Sequence, residues 1–228
     1  MEWPLLAGLS EEDRRAFLAT ARRRTFRAGE VVLHRDDPAD AMHLVVRGAF
    51  AIRIVTPLGD VATLAVLFPG DTFGEVALLL ADRRRTATVE ALEAGETRAV
   101  HHADFAALRR RHPEVEIVLA GVLAAKVEQL SRQVVEALYV PADARVLRRL
   151  SELSGRYGVN GAGHAVVPLT QDELAGLAGA ARATVNRVLR DAERRGIVEL
   201  RRGRTVVLDE DALARLARAG DRNPALRP

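Results

Sequence analysis

Cysteine is absent from the 228 residues, which excludes disulfides, cysteine-ligated zinc and the usual iron–sulfur ligation. No apolar run approaches the roughly eighteen residues of a membrane span, and no basic n-region with an apolar stretch behind it opens the chain. A cytoplasmic protein with no membrane partner is therefore expected. There is no P-loop, no Ser/His/Asp set and no pair of carboxylates at catalytic spacing, so no enzyme and no catalytic residue are expected. Lysine is nearly missing too: Lys126 is the single lysine, and arginine carries almost all the basicity. Six histidines invite a metal or haem reading. His34 and His43 lie nine apart around a turn with no carboxylate on a shared face, while His101 and His102, at the end of a strand, would point to opposite faces. No metal site is expected.

What is present is 48% hydrophobic and 29% charged, the composition of a globular protein with one large or two small domains. The net charge of +3 is unevenly placed. Residues 1–140 carry 18 basic and 20 acidic side chains, and residues 141–228 carry 16 and 11. Within Arg182–Arg204, eight arginines face three acids. A basic cluster confined to one end points to a polyanionic partner.

Residues 1–20 read as a short helix with Ser10-Glu11-Glu12-Asp13 at its start and Phe17 and Leu18 inward. From Thr25 to about His102 short β-prone runs alternate with turns: Val31–Leu33, Met42–Val46, Ala49–Val55, Val61–Leu67, Thr86–Ala91 and Thr97–His101. Many short strands at such spacing predict a sandwich or barrel. Thr56–Asp60 is a predicted hairpin tip, with Pro57 pre-set for the turn and Gly59 free to take positive φ. Ala103–Arg111 reads as a helix, and Pro113 opens a long one to Leu138.

On that long helix Ala120, Leu123, Val127, Leu130, Val134 and Ala137 recur at spacings of 3, 4, 3, 4 and 3, a heptad seam on a helix about 39 Å long. One reading is a stripe that lies on its own domain. A homodimer seam is the better fit to six successive positions. Val140-Pro141 interrupts the helix, and Ala142–Tyr157 forms the next, with Asp143 in its first turn. The expected organisation is a β-roll sensor domain at 1–112, a dimerisation helix at 113–138, a hinge at 139–141, a DNA-binding domain at 142–220 and a frayed tail at 221–228.

Phe73-Gly74-Glu75-Val76-Ala77-Leu78, then Arg85-Thr86-Ala87-Thr88, collects what is needed to hold a sugar joined to a phosphate. Gly74 lets backbone approach a ligand, and the Glu75 carboxylate accepts from a ribose hydroxyl. Amides of the short turn at Val76 and Ala77 favour an anion, Arg85 can pair with phosphate oxygens, and Thr86 adds a hydroxyl donor. The string resembles the phosphate-binding cassette of cyclic-nucleotide-binding domains. Further on, Thr170-Gln171-Asp172-Glu173 is a capping box that opens a short helix to Ala178, with Leu174 and Leu177 on its buried side. Gly179-Ala180-Ala181 forms a tight turn, and Arg182–Arg194 a second helix. Val185, Val188, Leu189 and Ala192 share one face of it. Ala183, Asn186, Arg187, Arg190 and Arg194 share the other, with Arg182 and Thr184 in the first turn. Ile197–Leu200 and Thr205–Leu208 flank a basic tip, Arg201-Arg202-Gly203-Arg204. This succession resembles a winged helix-turn-helix.

Element order from about Leu5 to Leu216 resembles the cyclic-AMP receptor protein/fumarate–nitrate regulator (Crp/Fnr) superfamily of bacterial transcription factors. The resemblance implies an α+β chain: an N-terminal cyclic-nucleotide-binding β-roll, a long dimerisation helix and a C-terminal winged helix-turn-helix. It implies a homodimer on palindromic double-stranded DNA, with RNA polymerase as a further partner. It places Glu75 on a ribose 2′-hydroxyl, and Arg85 and Thr86 on a cyclic phosphate. Lys126, Leu130 and Ser131 match the base-contacting positions of cyclic-AMP-responsive members, but Lys126 replaces an arginine and Leu130 a threonine. Cyclic AMP is the leading ligand, with cyclic GMP, another nucleotide or no ligand as alternatives. Arg182 and Arg187 match two guanine-reading arginines. Ala183 stands where those members have a glutamate that accepts from cytosine, so a changed base is expected there. Asn186 adds a possible adenine contact, and Thr170, Arg190, Arg202 and Arg204 complete the expected DNA contacts. The alternative functions are a ligand-free DNA-binding regulator and a cyclic-nucleotide sensor that acts on a protein partner.

Overall fold

Short alternating runs closed by turn residues fold into paired sheets, and the longer apolar stripes fold into helices. The computed structural model describes residues 2–57, 59, 61–161 and 163–219. A 3₁₀ turn, Pro4–Leu6, and α1 (Glu11–Thr20) precede β1 (Arg22–Phe26), β2 (Val31–Leu33), β3 (Ala41–Arg47), β4 (Phe50–Val55), β5 (Val61–Leu67) and β6 (Thr72–Phe73). Then come α2 (Glu75–Leu79), β7 (Thr88–Ala91), β8 (Gly95–His101), α3 (His102–Arg111), α4 (Glu114–Tyr139) and α5 (Ala142–Tyr157). The chain ends in β9 (Ala165–Val167), α6 (Gln171–Ala178), α7 (Arg182–Arg194), β10 (Val198–Arg201), β11 (Arg204–Val207) and α8 (Glu210–Ala219). It divides into two compact units, one of Met1–Gly59 with Leu64–Gln129, the other of Asp60–Thr63 with Leu130–Pro228.

The β-rich region holds two four-stranded sheets, ordered β1-β8-β3-β6 and β2-β7-β4-β5. Strand period two decides which side chain goes where. On β3, Met42 and Leu44 join a core of Trp3, Leu6, Phe17, Phe105, Val115 and Leu119. Val45 joins a second core with Phe26, Phe50, Phe73 and Val89. Trp3 donates its Nε1 hydrogen to the Val45 carbonyl at 3.2 Å, which gives a buried indole its partner. Gly48 takes φ +83° after β3, and a Cβ on it would lie 2.7 Å from the Gly95 Cα.

His43 shares the Val45 side of β3. It is buried, stacks on Phe73 with ring centroids 4.8 Å apart, and sets Nδ1 3.0 Å from the Thr97 hydroxyl. Burial first, and the charges of Arg85 and Arg24 next, push its pKa down to about 3.

Three elements differ from the expectation. Arg22-Arg23-Arg24 is strand β1, not a prelude to one: it pairs with β8, only Phe26 is buried, and Arg23 meets Glu96 at 2.7 Å. An edge strand with one buried side chain leaves little apolar alternation to read. The two-residue β6 and the helix α8, which buries Leu213 and Ala217, were also unforeseen. His101 and His102 do not point to opposite faces. The strand stops at His101, which caps α3 by accepting from the Ala103 N–H, and the two rings lie 4.2 Å apart. Among the described residues no third metal-binding side chain joins them. Leu58 and Asp60 of the hairpin tip, Ala162 and the tail at 221–228 lie outside the described residues; Gly59 has φ +90° as expected.

In the second unit α5 buries Val146, Leu147, Leu150 and Leu153, and α8 packs on it. The remaining strands form a sheet ordered β10-β11-β9. Among the described residues no helix is long and apolar enough to cross a membrane.

Because the folded pKa of His43 lies below its ordinary 6.5, its contribution is fully present above pH 6.5 and is lost as pH falls toward 3. The linked loss is on the order of 4 kcal/mol across that window. His43→Phe is expected to flatten this part of the acid limb, read as a smaller drop in urea midpoint between pH 7 and pH 4.5 than in the parent. An unchanged drop would show that His43 is not the titrating group.

Candidate nucleotide recess and nucleic-acid interface

The cassette segment wraps a recess in the first unit. Leu33, Ile52, Phe73 and Val89 give it an apolar wall, and Gly74–Ala77, Arg85–Ala87 and Lys126 supply the polar side. Gly74 caps α2 in the left-handed region, φ +82°. A Cβ there would stand 2.7 Å from Arg85 Nη1 and 3.3 Å from the Ala41 carbonyl, so only glycine leaves room for the guanidinium.

Glu75, the first residue of α2, is buried with 1% exposure. Its Oε1 accepts from Lys126 Nζ of α4, while Oε2 has no hydrogen-bond partner among the described residues. An unfilled acceptor in a buried carboxylate is costly, and a hydroxyl donor in the recess would relieve it. Arg85 is buried as well. Its Nη2 donates to Asp40 Oδ1 at 3.1 Å and its Nη1 to the Gly74 carbonyl at 3.4 Å. Burial pulls its pKa down, and the Asp40 carboxylate opposes that. Asp40 itself is 78% exposed at the side chain, so the partner of this buried cation faces solvent.

Backbone bonds position Arg85. The Arg85 N–H donates to the Asp37 carbonyl and its carbonyl accepts from Asp36 N–H, both at 2.9 Å, while Ala39 N–H donates to the Arg83 carbonyl at 2.7 Å. Arg83 and Asp36 take positive φ, 48° and 69°, in this paired loop. Sequence reasoning missed Asp40. The acidic turn Asp36-Asp37-Pro38-Ala39-Asp40 was its signal, but nothing local links it to an arginine 45 residues on.

Of the other expected ligand residues, Val76 and Ala77 line the recess and Thr86 is exposed at it. Leu130 and Ser131 lie exposed farther along α4 and are not in its lining. Helix α4 carries two stripes. Val115 and Leu119 are buried in the core of the first unit, with Leu123 packed against them. Val127, Leu130 and Val134 are 63%, 51% and 58% exposed, and Ala120 and Ala137 are exposed as well. The six expected seam positions thus split: Leu123 is shared with its own domain, and the others are uncovered.

In the second unit the capping box at Thr170 is complete, and Gly179 ends α6 with φ +56°. Helix α7 buries Val185, Val188, Leu189 and Ala192 and exposes Arg182, Ala183, Asn186, Arg187 and Arg190, with Thr184 half-buried. Asn186 Nδ2 donates to Gln171 Oε1 at 3.0 Å, Arg182 stands 3.4 Å from Asp172, and Arg190 lies 2.8 Å from Glu193. Arg202 and Arg204 are exposed at the β10–β11 turn, where Gly203 has φ +72°. Such exposed pairs are weakened by solvent, so phosphates can replace them.

Residues 23–112 match the cyclic nucleotide-binding domain family, and residues 144–216 match the Crp-like helix-turn-helix domain. The chain is 34% identical over 210 residues to the cyclic AMP receptor protein of Thermus thermophilus, covering 92% of this chain and 94% of that protein. It is 32% identical over 198 residues to the CRP-like cAMP-activated global transcriptional regulator of Mycobacterium tuberculosis, covering 85% and 87%. Among solved structures it is similar to the Thermus thermophilus catabolite activator protein, at 32% identity and TM-score 0.54 over 95% and 99% of the two chains. A CRP/FNR-family transcriptional regulator from the same organism matches at 27% identity and TM-score 0.72, over 86% and 98%. The chain belongs to the Crp/Fnr superfamily of bacterial transcription regulators, with a cyclic nucleotide-binding domain and a DNA-binding helix-turn-helix.

Gly74→Ala is expected to destabilise the protein by about 1–2 kcal/mol, because left-handed φ is penalised and the Arg85 guanidinium must move. Denaturant titration reads this directly; a midpoint equal to the parent's would mean that the recess has slack.

Proposed function

We propose that the chain is a homodimeric, sequence-specific DNA-binding regulator whose hold on a palindromic operator is controlled by a cyclic nucleotide in this recess, with cyclic AMP favoured. One observation carries the reading: a buried carboxylate with an open acceptor, Glu75 Oε2, shares a recess with a buried guanidinium, Arg85, whose carboxylate partner faces solvent. Glu75 would accept from a ribose hydroxyl. Arg85 would exchange Asp40 for phosphate oxygens, aided by Thr86 and the first-turn amides at Val76 and Ala77. Lys126 would balance Glu75 and stand on the base side. The names of two relatives, which state cyclic AMP as activator or ligand, support that choice. On the DNA side Arg182 and Arg187 would read guanines and Asn186 an adenine. Ala183 and Thr184 would meet bases, and Thr170, Arg190, Arg202 and Arg204 phosphates. Two copies would join through the uncovered stripe at Ala120, Val127, Leu130, Val134 and Ala137, with residues 139–141 as hinge. The dimer would set its recognition helices roughly 34 Å apart and act with RNA polymerase. The nucleotide can shift DNA binding only by its differential affinity for two states.

A ligand-free regulator is the second reading. It is favoured by the pairing of both recess charges within the chain, Glu75 with Lys126 and Arg85 with Asp40.

Fluorescence anisotropy on an operator selected from random duplexes separates them. Cyclic AMP is expected to tighten binding of the parent tenfold or more, about 1.4 kcal/mol of coupling, and to leave Arg85→Leu at its basal affinity. Equal response in both would remove Arg85 from the site, and no response in the parent would favour the second reading. Val134→Asp is expected to give a single subunit in sedimentation and to weaken operator binding by roughly tenfold or more. A dimer of parental strength would place the interface elsewhere.

A further inference from the structure

Helix α7 has no carboxylate in its own first turn; Asp172 meets Arg182 there, and a second carboxylate reaches Arg187 from another helix. Asp143, 44 residues away in the first turn of α5, accepts at Oδ1 from Arg187 Nη2 at 2.5 Å. Both side chains are partly exposed, at 47% and 64%. The place of Asp143 is set two residues on. Arg145 donates Nε to the Ala178 carbonyl at 2.8 Å and Nη2 to the Gly179 carbonyl at 2.7 Å. It donates Nη1 to the Val140 carbonyl at 2.7 Å. One guanidinium thereby ties the first turn of α5 to the turn that leads into α7. Asp143 stands on a fixed element and meets α7 on its exposed, DNA-facing side.

Guanidinium carries five N–H donors in a planar fork. The bond to Asp143 uses one on Nη2 and leaves the second, with both on Nη1, for another acceptor pair. Arg187 can therefore hold Asp143 and a guanine edge together. We infer that Asp143 is a positioning residue for base recognition: it fixes the Arg187 guanidinium, so that less side-chain freedom is lost when the arginine meets guanine. The inference rests on the proposed role of Arg187 as a base contact. Asp191, which also acts on Arg187 electrostatically, lies on α7 itself and pairs with Arg194 and Arg195. A carboxylate with no positioning role would act in the opposite sense. It would only repel phosphates, and its removal would tighten binding to every sequence.

The experiment measures full-length protein against its selected operator and against duplexes changed at single base pairs. Arg187→Ala is expected to lose about ten- to a hundredfold of preference at one pair. Asp143→Ala is expected to lose about three- to tenfold at that same pair, with binding to the changed duplex undiminished. Asp143→Asn, which keeps an oxygen acceptor, is expected to recover most of that preference. Melting transitions confirm that the variants fold. Equal tightening on all duplexes by Asp143→Ala, or an unaltered preference, overturns the positioning role while the Arg187 result stands. If Arg187→Ala alters no single pair, the base-reading assignment fails and the positioning role falls with it.

Discussion

Two side chains of opposite charge, Glu75 and Arg85, are buried in one recess of the first unit and constrain what packs around it. A buried ion without compensation costs several kcal/mol, so the surrounding elements are held where they can supply it. Lys126 brings α4 to the cassette, and Asp40 brings the loop before β3. Gly74 and the positive-φ residues Arg83 and Asp36 give the backbone the shape this needs. The compensation is partial: Glu75 Oε2 stays open, and Asp40 sits in water where its hold on Arg85 is weakened by solvent. A site left in that state favours a molecule with a hydroxyl donor and an anionic group a short distance apart.

The second unit uses charge differently. The arginines on the free face of α7 are exposed, and Arg182, Arg187, Arg190 and Arg194 each meet a carboxylate on their own or a neighbouring helix. Such pairs hold side chains in place without tying the protein to them, because phosphate oxygens offer the same geometry in larger number. Arg145 instead engages backbone carbonyls, and it binds the end of α4 and the turn before α7 to the start of α5. The winged module then presents α7 as a rigid face, with its apolar side packed inward through Val185, Val188, Leu189 and Ala192.

Features with a local cause were legible in the sequence. The capping box at Thr170, the glycine turn after α6 and the buried stripe of α7 each depend on residues within a few positions, and each stands as read. The cassette glycine and glutamate were legible for the same reason. Features with a distant cause were not. The strand character of Arg22–Phe26 comes from pairing with β8, and the exposure of its arginines hides it. The closeness of His101 and His102 comes from a strand that ends one residue before a helix begins, where period two no longer applies. Asp40 on Arg85 and Asp143 on Arg187 join residues more than forty positions apart, beyond the reach of any spacing rule. The heptad of α4 reads as one seam in the sequence, yet Leu123 packs on its own core while Val127, Leu130 and Val134 are exposed.

Coupling between an anion in the recess and the grip on a duplex, as proposed, is reciprocal. Calorimetric titration of the full-length protein with cyclic AMP, in the absence and then in saturating presence of its operator, tests it most directly. The operator is expected to tighten nucleotide binding by the same factor by which the nucleotide tightens operator binding. Nucleotide affinity indifferent to the operator, or no detectable binding in either state, would contradict it.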